Sequence, residues 1–169
     1  MKKIAALTLC VLLLAGLCAC GGDSASFTSD DLSLTVHGSA VTVETPVEEI
    51  LSLLGQDYDY AEAVSCVYEG MDKTFDYADA TLYTYPDGDA DRLMELYCTG
   101  DVQTAKGLGL GASRDDIVKL YGSDCKEAGS VLAYELPVSS PENLPASLYF
   151  LLKDGTVEAI AITAEHRAE

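Results

Sequence analysis

Apolar residues recur at helical spacing twice along this chain, and each run closes on a glycine. In TPVEEILSLLG, the residues Val47, Ile50, Leu51 and Leu54 share one face ahead of Gly55. In SRDDIVKLYG, Ile117, Leu120 and Tyr121 do the same ahead of Gly122. Each stretch opens with a hydroxyl residue three places before an acid, Thr45 before Glu48 and Ser113 before Asp116, which is the spacing of a capping box. Pro46 suits the first helical position, where its missing N–H costs nothing. Gly55 and Gly122 suit the positive φ of a helix end.

Downstream of each helix the period changes to two. ATLY begins at Ala80 and ASLY at Ala146, 66 residues apart. Each leads through an Asp-Gly turn, PDGD at 86–89 or KDGT at 153–156, into an alternating partner: RLMELYCT from Arg92 and VEAIAIT from Val157. SCVYE at 65–69 and SVLAYE at 130–135 predict one further strand before each hairpin. LSLTV and AVTV ahead of the first helix are strand-like too, as is the segment after Asp101 ahead of the second. The pattern predicts an α+β fold built from two tandem α-β-β-β repeats, residues 32–99 and 100–164, forming one compact unit with a frayed tail at 165–169. Two helices are too few to cover both faces of such a sheet. Both are expected on one side of one antiparallel sheet, or of two joined ones.

GLGLGASRDD, from Gly107, invites a phosphate-loop reading and does not sustain it. A Walker loop needs Lys and Ser or Thr after its last glycine, and Ala112-Ser113-Arg114 stands there. A dinucleotide fingerprint needs a parallel βαβ unit, whereas hairpins surround this stretch. Asp115 and Asp116 would also meet a bound phosphate with two negative charges. The glycines are expected to bend a strand into the second helix.

The N-terminus changes the picture of where the chain works. Lys2 and Lys3 precede an apolar run from Ile4 to Cys20 that ends in LAGLCACGG. The run is shorter than the roughly 20 residues of a spanning helix. Its end resembles a bacterial lipoprotein signal, with Leu17 three places before Cys20 and Ala19 next to the cut. Residues 1–19 are therefore expected to be a signal peptide, and residues 20–31 a lipidated cysteine with a flexible tether. Cys18 fits less well, and an ordinary cleaved signal or a short uncleaved anchor is the alternative. Lipid on Cys20 would hold the protein at the extracytoplasmic face of the cell membrane.

The whole chain carries a net charge of −18. Two of its 10 basic residues, Lys2 and Lys3, would leave with the leader, and all 28 acids would stay, giving −20. Such a charge repels nucleic acid and favours a basic partner. Cys66, Cys98 and Cys125 remain beyond Cys20, an odd number that allows at most one internal bridge. Pairing of Cys66 with Cys98 stays open beside the reading of buried free thiols.

A short capped helix closing in a hydrophobic residue and glycine, then antiparallel strands, all of it twice, resembles tandem β-lactamase-inhibitor-like modules. Small lipoproteins of Gram-positive bacteria carry comparable repeats. The stretches that carry the resemblance are TPVEEILSLLG, GLGASRDDIVKLYG, TLYTYPDGD and SLYFLLKDGTVEAIAI, spanning about residues 40–163. The resemblance implies a helical pair packed on an antiparallel sheet whose other face is open. It also implies a binder, inhibitor or envelope assembly factor, and it brings no catalytic residues.

The residues themselves supply little chemistry. His37 precedes Gly38 in an expected turn, and His166 lies in the terminal HRAE. Asp87, Asp89 and Asp91 alternate like calcium ligands, but Arg92 and Cys98 stand where an EF-hand needs Gly and Glu. No catalytic residue, metal site or cofactor is expected. The tyrosines say more. Tyr83 and Tyr85 oppose Leu82, Tyr97 and Glu95 oppose Met94, Leu96 and Cys98, and Tyr149 opposes Leu148, Phe150 and Leu152. If the aliphatic faces meet the helices, Tyr83, Tyr85, Glu95, Tyr97 and Tyr149 gather on the uncovered face. Ordinary strand propensity accounts for tyrosine in sheets as well. The expected function is a non-enzymatic, membrane-anchored module that binds a basic protein or an envelope polymer. The alternatives are a cell-wall or surface enzyme, and a scaffolding lipoprotein with no ligand of its own.

Overall fold

A computed structural model describes residues 25–137 and 146–164 of the chain. The leader with Cys20, the segment 138–145 and the tail 165–169 with His166 lie outside the described residues. Elsewhere the alternating stretches become two antiparallel sheets, and the fold is α+β with far more strand than helix.

The smaller sheet has three strands. Strands β1 (Ser33–Val36) and β2 (Ser39–Thr42) form a hairpin around His37 and Gly38, both at positive φ. β7 (Val102–Thr104) pairs with the other edge of β1. The larger sheet draws on β3 (Asp59–Val64), β4 (Met71–Asp76), β5 (Ala80–Asp87), β6 (Ala90–Cys98), β8 (Lys126–Ala128), β9 (Val131–Glu135), β10 (Ser147–Lys153) and β11 (Thr156–Thr163). Its order is β3-β4-β5-β6-β11-β10-β9-β8, two four-stranded meanders joined where β6 meets β11. A helix precedes each meander: α1 (Val47–Leu54) and α2 (Arg114–Tyr121).

Three expectations need correction. Each helix is followed by four strands rather than three, because β3 is exposed at every position and β8 has three residues, so neither shows apolar alternation. Residues 65–69 are a loop, not a strand. The Ser65 hydroxyl accepts hydrogen bonds from the Val67 and Tyr68 amides and turns the chain before pairing can continue. Thr45 does not cap α1; Pro46 holds that position, and the Thr45 hydroxyl accepts from the Thr42 amide at 2.9 Å, closing the turn after β2.

The second helix starts as expected. The Ser113 hydroxyl accepts from the Asp116 amide at 3.2 Å, and the Asp116 carboxylate accepts from the Ser113 amide at 3.0 Å, a complete capping box. The glycine-rich stretch before it serves the backbone. Gly107 and Gly111 take φ of 76° and 81°, and the Gly111 amide donates to the Val157 carbonyl at 2.8 Å. Val157 returns a bond to the Ala112 carbonyl at 2.9 Å, which ties the start of α2 to β11. The acidic tip at 87–91 is held by ion pairs, Arg92 with Asp87 and Lys73 with Asp91.

One core lies between the larger sheet and a layer made of α1, α2 and the smaller sheet. The sheet contributes Phe75, Leu82, Leu96, Cys98, Tyr134, Leu148, Phe150, Ile160 and Ile162, all from one face. Val47 and Ile50 enter from α1, Ile117 and Tyr121 from α2, and Leu34, Val36 and Val41 from the β1–β2 hairpin. Burying a side chain of this size is worth about 1.5–3 kcal/mol. Cys66, Cys98 and Cys125 are free. Cys98 faces the core, where burial pushes its thiol pKa up to about 12, while Cys66 is exposed in the loop after β3; the two do not pair.

The helix layer yields a direct test. Ile117→Asp and Ile50→Asp each place a charge where the native side chain is fully buried, and each should cost more than about 4 kcal/mol. Val64→Asp, at a position 76% exposed, should stay within about 0.5 kcal/mol of the parent. Urea unfolding midpoints of the three variants check the contrast.

Candidate binding face

The face of the larger sheet turned away from the helices carries the predicted tyrosines in a legible grid. Across one row stand Thr81, Tyr97, Ala161, Tyr149 and Ala133, each paired in register with the next. In the adjoining row Tyr83 pairs with Glu95, Glu95 with Thr163, and Thr163 with Ser147. On the other side Ala159 pairs with Leu151, and Leu151 with Val131. Large residues on β6 and β10 thus flank small ones on β11.

The size difference creates a hollow. Adjacent strands lie about 4.8 Å apart, so Tyr97 and Tyr149 rise from backbones separated by roughly 10 Å, with only the Ala161 methyl between them. Glu95, Tyr97, Val131, Tyr149, Leu151, Ala159 and Ala161 line a space of about 240 Å³. Ala159 and Ala161 form its floor and are buried, although they point away from the helices. The walls that bury them are side chains of the same face.

Two β-bulges keep this arrangement in phase. Between β5 and β6 the register shifts after Tyr83, leaving Met94 as the extra residue. Between β10 and β11 it shifts after Leu151, leaving Glu158 extra. Each bulge lets Leu93 or Val157, beyond the shift, rejoin the core while the residues before it keep the open face.

Of the five predicted residues, Glu95, Tyr97 and Tyr149 line the hollow, and Tyr83 stands beside Glu95 at its rim, half-buried. Tyr85 is a correction. It projects from the same face but is 3% exposed, because the loop 65–70 folds over that end of β5. The Tyr68 ring stacks on Tyr85 with centroids 4.7 Å apart and planes 26° apart. Val131, Leu151, Ala159 and Ala161 were missed. The alternation of alanine with isoleucine in EAIAIT was the available signal: small side chains at every second position of a strand leave room above it.

Electrostatically the hollow is apolar apart from Glu95. Removal from water raises the Glu95 pKa above the ordinary carboxylate range. Desolvation raises the Tyr97 pKa too, helped by the nearby carboxylates of Glu158 and Glu95 and by Tyr83. Glu158 has a partner in Lys153 at 2.9 Å; the Glu95 carboxylate takes part in none of the described ion pairs or side-chain hydrogen bonds. His37 lies elsewhere, 3.2 Å from the Asp79 carboxylate at the β1–β2 turn. Comparison with protein-family models, with curated proteins and with solved structures found no match to this chain.

The unpaired carboxylate has a measurable signature. Folding disfavours the ionised form of Glu95, so this residue lowers stability as the pH rises from its unfolded pKa through its raised native one. Glu95→Gln removes that effect. Thermal melts should show the difference in Tm, variant minus parent, growing more positive from pH 4 to pH 7.5. A difference that does not vary with pH would assign the carboxylate to a solvated site.

Proposed function

We propose that this protein is a membrane-anchored, extracytoplasmic lipoprotein that acts as a non-enzymatic binding module, engaging a protein through the open face of its larger sheet. The observation that carries the reading is the hollow walled by Tyr97, Tyr149 and Glu95 on a face that no described helix covers. Tyrosine presents a large, stiff contact surface with a polar tip, and such residues around a concave centre suit partner recognition. The net charge of −18 favours a basic partner and speeds its encounter at low salt.

We propose also that the two halves are copies of one unit, as the resemblance to tandem β-lactamase-inhibitor-like modules implies. Supporting this, the strand order reads outward from the β6–β11 seam through the same succession on both sides, and each half carries one bulge in its last hairpin. Attachment through Cys20 rests on the leader and its LAGLCACGG ending.

Attachment and binding separate experimentally. Cys20→Ala should move the protein from the membrane fraction to the medium or leave it unprocessed, with loss of labelling by a fatty-acid probe. Retention with undiminished labelling would remove the lipoprotein assignment. Changing Tyr83 and Tyr149 together to Ala should shift the Tm by only a few degrees, because both rings are partly exposed. The same change should abolish the cross-links to envelope neighbours that a photoreactive group at Thr81 forms in the parent. Undiminished cross-links would dismiss the binding face; unfolding would make the tyrosines structural.

A further inference from the structure

The hollow carries a more specific statement, which rests on the binding-face reading. Glu95 is its one charged lining residue, and the others are aliphatic or aromatic. The residues paired with Glu95 across the sheet are Tyr83 on β5 and Thr163 on β11, neither of them cationic. None of the seven described ion pairs includes it. A wholly apolar ligand seated here would exclude water from a carboxylate with no counter-charge, an arrangement that opposes binding. A ligand that brings its own positive charge turns the same desolvation into a favourable contact.

The shape narrows the cation further. The floor runs along β11 from Ala159 through Ala161 toward Thr163, a line of about 13 Å at strand rise, bordered by Tyr97 on one side and Tyr149 on the other. An aliphatic stem fits an alanine floor, and a planar, weakly hydrated head fits between tyrosine rings and a carboxylate. Guanidinium has that geometry and can donate two parallel hydrogen bonds to one carboxylate, whereas an ammonium is compact and holds its water more tightly. We infer that the hollow receives an arginine side chain from a protein partner, its stem along Ala159 and Ala161 and its guanidinium at Glu95. The excess of 28 acidic over 10 basic residues steers such a partner toward the surface.

Short peptides test this without knowledge of the partner. The full chain, isotopically labelled and held in detergent, is titrated with acetyl-Gly-Arg-Gly-amide and followed by amide NMR. Saturable shifts are expected at Glu95, Tyr97, Tyr149 and Ala161. Replacing arginine by citrulline keeps the shape and removes the charge, and should weaken binding roughly tenfold, as should Glu95→Gln titrated with the arginine peptide. Tyr149→Ala should weaken it as well, with the remaining spectrum unchanged. Equal binding of the citrulline peptide, or shifts confined to other surfaces, would overturn the proposal. Equal binding of the lysine analogue would overturn the choice of arginine. These outcomes leave the cross-links from Thr81 untouched, so failure of the arginine site is distinguishable from failure of the binding face.

Discussion

The ladder between β6 and β11 is the contact on which the rest of the architecture depends. Four residue pairs, from Glu95–Thr163 to Cys98–Ile160, join segments more than sixty positions apart in sequence. Each meander holds itself together by local hairpins, but only this seam makes them one sheet. Loop closure over such a separation costs conformational entropy, and core contacts across the joint offset it. Leu96 faces Ile162 and Cys98 faces Ile160 on the helix side, all four fully or nearly fully buried. A one-residue slip of β6 against β11 would send Leu96 and Cys98 to the open face and bring Glu95 and Tyr97 under the helices, while Ile160 and Ile162 kept their places. Core packing therefore fixes the register, and the register fixes the hollow.

The two faces of the sheet divide the work by side-chain size. Toward the helices the seam carries large aliphatic residues, which fill space. Away from them β11 carries Ala159, Ala161 and Thr163, which leave it vacant. Vacancy matters only because the flanking strands are bulky on that side, with Tyr97 on β6 and Tyr149 on β10. A polar row of uniform size would have made a flat, wet surface.

Much of this was legible in the chain. Period-3.6 spacing located both helices within a residue or two, and the Asp-Gly turns located the last hairpin of each half, because those signals report burial on one side of a regular element. The edge strands were not legible. β3, with sequence DYAEAV, is exposed along its whole length and is held by backbone pairing to β4, which leaves no mark on side-chain pattern. Tyr85 shows the complementary difficulty. Alternation gave its face correctly, but its cover comes from Tyr68 across a loop, and strand periodicity does not encode what a loop folds over. Thr45 matched a capping box by spacing, yet its hydroxyl met the Thr42 amide first. For the hollow, the walls were visible as tyrosines and the floor was not, since alanine reads as neutral until its neighbours are known.

The described chain enters the body on the helix side of the larger sheet. Phe27 packs against Tyr121 and Tyr134, with ring centroids 6.3 and 5.8 Å away, and the buried Asp31 carboxylate lies 3.1 Å from the Lys106 ammonium. The part of the tether from Phe27 onward is thus bound into the helix side of the domain. Under the anchoring proposed at Cys20, the chain between residues 20 and 27 can span no more than about 25 Å. That stretch enters the domain on the side bearing α2. The tyrosine-walled hollow lies on the opposite face of the larger sheet, so under that proposal lipid and binding partner would attach to opposite sides of the domain.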